Sequence, residues 1–364
     1  MPLTKYRYPG VQLLRALLFV TIVAFHCRLW GTWIFWGGIE IFFVISAYFL
    51  TKKLIKKDYN PFLEIGHRVC RLYPVYVFVI LFCFLYIFLT EHILGIKDLG
   101  LHLLFSQNIN WMATKYQSTL VYVTGHTWTL SIEMYAFLIY VFGFKLCKGK
   151  TSRIIFNAVA IVVAITWRTV LTLTVGEALI TSVCPLAHID AFALGSLLAL
   201  LEDSKKLNKR AKDIILGAII VAGIAMIVGC MFITSKVNGV SFFEAFHSYE
   251  YSDNYFNHPF TSNLYLGFSI LGVGFLYFLK KINFNSKFFI PFLLLGNISY
   301  SAYLIHFPIY RILSKYIDSL WLVFGITLLL TITLSFFVEW VIKLIKYTLV
   351  KIKHSKEKHH DIVV

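Results

Sequence analysis

Apolar residues in this chain come in long runs rather than at alternate positions. Stretches of about 20 residues, enough to cross a bilayer as a helix, recur from one end to the other. They predict spans near residues 11–30, 31–50, 74–94, 127–144, 154–175, 185–201, 214–233, 260–279, 291–312 and 320–342. The alternating ~10-residue segments of a membrane β-barrel are absent. The pattern predicts an all-α integral membrane protein, a polytopic bundle of about ten transmembrane helices. Residues 1–345 are expected to form the membrane domain and 346–364 a basic cytoplasmic tail that touches the inner leaflet. No internal repeat is visible, and nothing suggests the mirrored half-helices of a secondary transporter.

Composition agrees. Hydrophobic residues make up 59% of the 364 and charged ones 14%, beyond the roughly 45–50% apolar usage of soluble domains. The net charge of +16 would suit a nucleic-acid binder, but its distribution does not. With the gaps numbered alternately from the N-terminus, 26 of the 34 basic residues fall in one set and 4 in the other. That is the positive-inside rule, and it predicts both termini in the cytoplasm. The charge is expected to orient the chain and lie against anionic lipid, with no nucleic acid involved. Arg15 and bulky neighbours interrupt any cleavable signal, so the first span is read as permanent. The six cysteines are scattered without a C-x-x-C pair, which predicts neither a disulfide framework nor a metal site. Cys27 points ~100° away from its neighbour His26 and is read as a small hydrophobe.

Charge inside a span is costly and usually has a task. In "LLRALLFVTIVAFHCRLW", Arg15 and His26 are eleven residues apart, which leaves ~20° between their directions and ~16 Å along the helix axis. They are expected to face one interior channel, Arg15 nearer the cytoplasm. A snorkelling arginine and a satisfied histidine are the plainer alternative. In "GHRVCRLYP", Arg68 and Arg71 stand i, i+3 on the first inner loop and could clamp phosphate, since each guanidinium holds two oxygens. An ordinary basic loop is the alternative for this pair.

Glu133 in "GHTWTLSIEMY" lies inside the fourth span and needs a partner. At comparable depth, His26 could pair with it, which would fix the ring's tautomer and leave the other nitrogen to act as a base. Arg168 and His126 are alternative partners. "GNISYSAYLIHFPIY" places Tyr303 and His306 on one face before Pro308; Ser299 and Ser301 read as helix–helix contacts. His306 reads equally as a site wall or a structural bond, and His188 and Asp190 in "PLAHID" carry the same ambiguity. The gap 234–259 is rich in aromatics with Glu244, Glu250 and Asp253; it reads first as an interfacial belt, second as a sugar-stacking lip.

Taken in order, "RALLFVTIVAFH", "GGIEIFFVISAYFLT", "RVCRLYP", "WTLSIEMY" and "ISYSAYLIHFP" resemble the acyltransferase-3 family over about residues 8–342. Two departures stand out: Ser46-Ala47 replaces the usual Ser-Gly, and "FFVEW" lacks the proline that commonly follows its glutamate, Glu339. The resemblance implies a stand-alone membrane O-acyltransferase without a fused extracytoplasmic domain. It implies transfer of an acetyl or other short acyl group from cytoplasmic acyl-CoA to a hydroxyl of a surface polysaccharide or its lipid-linked precursor. Acetyl-CoA would be a co-substrate, with no permanent cofactor and no metal. In that setting His26, Arg15 and Glu133 are the expected catalytic residues, with His26 the base. Arg68, Arg71 and Arg15 would bind acyl-CoA, and Ser46, Trp128, Tyr303 and His306 are candidates for site wall or oxyanion donor. The expected location is the plasma membrane of a bacterium. A flippase for a lipid-linked glycan and a silent scaffold of polysaccharide assembly are the rival readings.

Overall fold

A computed structural model describes residues 8–56, 58–115, 118–176, 178–204, 207–247, 258–259, 261–283 and 287–363. The chain forms α1 (Pro9–His26), α2 (Gly38–Leu54), α3 (Pro61–Glu91), α4 (Ile96–Leu103) and α5 (Gln107–Thr114). These are followed by α6 (Val121–Thr124), α7 (Trp128–Leu146), α8 (Lys150–Thr174), α9 (Ala178–Val183) and α10 (Ile189–Glu202). The last five are α11 (Lys209–Asn238), α12 (Phe242–His247), α13 (Leu264–Leu279), α14 (Ile290–Leu313) and α15 (Leu320–Val363). Among the described residues there is no strand, and nine helices are long and apolar enough to span a membrane. The remaining predicted span, 260–279, is α13, whose 16 residues extend about 24 Å at 1.5 Å per residue. α15 continues past Ile345, where its apolar span ends, into the segment read as a tail.

One boundary matters for the site. α3 opens at Pro61 rather than near residue 74, because Asn60 accepts a hydrogen bond from the Phe62 amide at 2.9 Å and Pro61 suits the first turn. Glu64 adds a carboxylate at the positive end of the helix dipole. Arg68 and Arg71 therefore sit on a helix and not on a loop. Pro74 lies inside that helix, with its missing amide tolerated among neighbouring spans.

Within lipid, helices associate through close contact rather than hydrophobic drive, so small residues sit where backbones meet. A Cβ on Gly296 of α14 would strike the Gln12 carbonyl of α1, and one on Gly195 of α10 the Val44 carbonyl of α2. These contacts fix the pairs α1–α14 and α2–α10. An apolar core including Phe43 and Phe137 fills one side of the bundle, and a second including Leu72 and Leu130 fills the other.

The two ends differ. Glu202 gathers Tyr48, Lys52 and Lys280 at one end, where Asp213 holds Tyr277 and Lys281 and Lys53 meets Glu64. At the opposite end the predicted gap 95–126 folds into a lobe of α4 to α6. Its hub is Asp98, which accepts from the Thr119 amide (2.8 Å), the Thr119 hydroxyl (2.7 Å) and the Ser118 hydroxyl (2.8 Å). Burial opposes the Asp98 charge, but the Thr119 and Ser118 bonds outweigh it and hold the carboxyl below the ordinary aspartate value. In the aromatic gap, Glu244 closes the start of α12 by accepting from the Ser241 amide at 2.7 Å. Glu250 and Asp253 lie outside the described residues.

Candidate active site

A cavity of about 630 Å³ opens where the two apolar cores meet, walled by α1, α2, α3, α7, α14 and α15. Lys53, Glu64 and His67 mark its lysine-rich end, and Thr129 and Tyr303 its other end. Between them lie Arg15, Ser46, Arg68, Arg71, Glu133 and Glu339. The single helix α1 supplies Arg15 to this space, α3 both other arginines, and α7 the carboxylate of Glu133.

The partners within the cavity differ from those expected. Glu133 forms an ion pair with Arg68 at 2.5 Å and accepts a hydrogen bond from the Ser46 hydroxyl. It makes no pair with His26, Arg168 or His126. The Arg68 guanidinium also stacks on Phe137, 4.6 Å from the ring centre. Although Arg68 and Arg71 share a helix face, their roles separate. Arg68 is 7% exposed and committed to Glu133. Arg71 is exposed, and among the described residues it makes no hydrogen bond or ion pair; the same holds for Arg15, which is half-buried. The cations left to receive a ligand are thus Arg15 and Arg71. Lys53 is taken by Glu64, and Glu339 accepts from Ser301 at 2.5 Å.

His26, the last residue of α1, is not in the cavity wall. Its ring packs on His306 (5.3 Å between centres) and Phe307 (4.8 Å), and His306 packs on Tyr303 (5.4 Å), which does line the cavity. His126 completes the group, 5.4 Å from both His306 and Tyr303. One ring layer therefore separates His26 from the space that Arg15 faces, and the expected open channel between them is closed here.

Proline explains how this layer is built. Pro308 has no amide hydrogen, so the Leu304 carbonyl four residues earlier loses its helical partner. The His126 Nε2–H supplies one instead, at 3.1 Å. His306 donates Nδ1–H to the Tyr303 carbonyl at 2.6 Å. Carbonyls only accept, so both tautomers are fixed. The remaining nitrogens, His126 Nδ1 and His306 Nε2, are bare lone pairs, buried and without a partner among the described residues. The Tyr303 hydroxyl accepts from Thr129 (3.0 Å) and donates to the His126 carbonyl (2.8 Å), which pins the tyrosine at the cavity's end.

The other candidates lie elsewhere. Trp128 stacks on His188 at 5.4 Å, outside the cavity. His188 bonds Glu40 (2.6 Å) and the Ser182 carbonyl (2.9 Å), while Arg168 bonds Asp190 (2.7 Å) and Asn263 (3.1 Å). Glu40, Arg168, His188 and Asp190 are fully buried, and their bonds brace α2, α8 and α10. Cys27 is sealed among Phe19, Val23 and Ala302. Among the described residues no cluster of His, Cys, Asp or Glu fits a metal ion.

Residues 8–340 match the family described as an acyltransferase domain. The chain belongs to the acyltransferase-3 family. It is 25% identical over 331 residues to the O-acetyltransferase OatA of Staphylococcus aureus strains NCTC 8325 / PS 47, COL and MRSA252. The match takes in 85% of this chain and 51% of those proteins, so the chain spans about half the length of the curated relatives it matches. No solved structure matches it.

In this acyltransferase-3 chain, Arg15, Arg68, Arg71, Glu133, Ser46 and Tyr303 converge on one cavity. His306 joins His26 behind it. Glu339 reaches the cavity although no proline follows it. His126, read from the sequence only as an alternative partner of Glu133, bonds Leu304 instead; the signal for this is the Leu304–Pro308 spacing, which leaves a carbonyl in want of a donor.

Proposed function

We propose that this chain is a multi-pass O-acyltransferase of the plasma membrane that takes an acetyl or similar short acyl group from acyl-CoA and passes it to a glycan hydroxyl. The observation that carries this reading is the pair of unpartnered guanidiniums, Arg15 and Arg71, inside a cavity that ends one ring short of a histidine cluster. In this account the lysine-rich end faces the cytoplasm. Arg71, at the exposed side, receives phosphate oxygens of acyl-CoA, and Arg15, deeper in, faces the thioester carbonyl as charge develops on its oxygen. Arg68 and Glu133 hold each other and the cavity wall.

The acceptor approaches His26 from the far side. His26 removes the hydroxyl proton, and the oxygen forms its bond to the acyl carbon. The carbon–sulfur bond then breaks, and the departing thiolate takes the proton back. Tyr303 and His306 stand between the two substrates, so their layer must part for transfer. The family relatives support an O-acetyl product, since OatA carries that name. The sugar and the position modified are set by the acceptor side.

Purified protein in detergent, given acetyl-CoA with and without a glycan acceptor, tests the reading. Release of free coenzyme A that rises with acceptor, together with an acylated product in the mass spectrum, supports it. A protein that moves a lipid-linked glycan across vesicles while releasing no coenzyme A would be the flippase instead.

A further inference from the structure

A second cavity, of about 400 Å³, lies at the lysine-rich end and shares no lining residue with the first. It is formed where the turn between α2 and α3 meets the turn between α7 and α8. Lys56, Lys145, Lys148 and Arg153 line it, opposed by the single carboxylate of Asp58. Lys145 is taken up by Asp58 at 2.5 Å and by the Tyr59 carbonyl at 3.1 Å. Lys56, Lys148 and Arg153 have no ion pair among the described residues.

Elsewhere on that face Lys280, Lys281 and Lys53 each have a carboxylate. Arg153 is also held in place. Its guanidinium lies 5.4 Å from the Phe144 ring centre, and its Nε–H is buried without an acceptor. An ordered cation with an unused donor, inside a concave basic site, is built to take an anion. The flanking surface is apolar and exposed: Phe142, Leu146 and Ile154 on α7 and α8, and Phe62, whose ring meets Phe142. A free nucleotide or phosphate has no use for that rim, whereas acyl chains do.

We propose that this pocket binds the phosphate headgroup of an anionic phospholipid, with its chains lying along Phe142, Leu146 and Ile154. Lys148 and Arg153 grip the phosphate, and Phe144 holds Arg153 flat beneath it. The site is independent of the acyl-transfer cavity and stands whether or not that assignment does.

Native mass spectrometry tests it with the full chain released from micelles holding equal phosphatidylglycerol and phosphatidylcholine. Wild type is expected to retain phosphatidylglycerol in preference. K148Q/R153Q should retain it about 30-fold less well, the effect of two membrane-facing cations. K281Q, on the same face but outside the pocket, should behave as wild type. Circular dichroism of K148Q/R153Q confirms that the fold is intact; should it be altered, K148Q alone, at an exposed position, is the deciding variant. Equal retention by wild type and variant overturns the proposal. So does retention of phosphatidylcholine at the same level, or displacement of the lipid from the pocket by adenosine 3′,5′-bisphosphate, which would assign it to a soluble phosphate.

Discussion

Glu133 and Arg68 lie 2.5 Å apart on α7 and α3, and this pair, not a Glu133–His26 dyad, occupies the centre of the cavity wall. The consequence is a division of labour. A buried ion pair is held by its own geometry, and breaking one member costs more than replacing both.

Glu133→Gln should therefore destabilise the protein by about 3–5 kcal/mol, because Arg68 is left charged and nearly buried. The double variant R68M/E133L should recover most of that loss. Thermal unfolding in detergent measures both. If E133Q melts like wild type, the pair is not what secures the wall.

Arg15 and Arg71 have no such partner, so their loss should show in ligand affinity rather than stability. Arg15→Gln and Arg71→Gln should each weaken acetyl-CoA binding by about 10- to 100-fold, the worth of one charge-assisted hydrogen bond. Melting temperatures should hardly move. Calorimetric titration decides, and unchanged affinity in both variants removes the cavity from the donor path.

The distance between His26 and His306 rests on how closely α1 and α14 approach. Gly296→Ala would press a methyl group onto the Gln12 carbonyl and force the helices apart. A cost of about 1–3 kcal/mol is expected, with a larger fall in transfer rate than stability alone explains. Equal melting and equal turnover would show that the contact can be relaxed.

Asp98 gives a pH dependence. Its folded pKa lies below the ordinary 3.8, so its contribution is complete above that value and disappears as pH falls through the folded pKa. Hydrogen exchange in the lobe of α4 to α6 should speed up below pH 3.8, and D98N should lack the step. A step that persists in D98N would place the titration on another group.

The spans were legible in the sequence because hydropathy is a local property, and so was the order of the motifs. Arg15, Arg68, Arg71 and Glu133 reach one cavity much as their spacing and depth suggest. Their pairing was not legible. Whether Glu133 meets Arg68 or His26 depends on which helices are neighbours, and that is set by contacts such as Gly296 on Gln12 and Gly195 on Val44. The start of α3 was misplaced because hydropathy finds only the apolar part of a helix, whereas Asn60 and Pro61 begin it earlier among polar residues. The three histidines come from α1, the turn before α7, and α14, so no single stretch announces them.

The most direct measurement compares H26Q with R15Q in acetyl transfer and in acetyl-CoA binding. H26Q should bind acetyl-CoA as wild type does yet transfer about 10²–10⁴-fold more slowly, whereas R15Q should bind it about 10- to 100-fold more weakly. Transfer by H26Q at the wild-type rate would contradict the account.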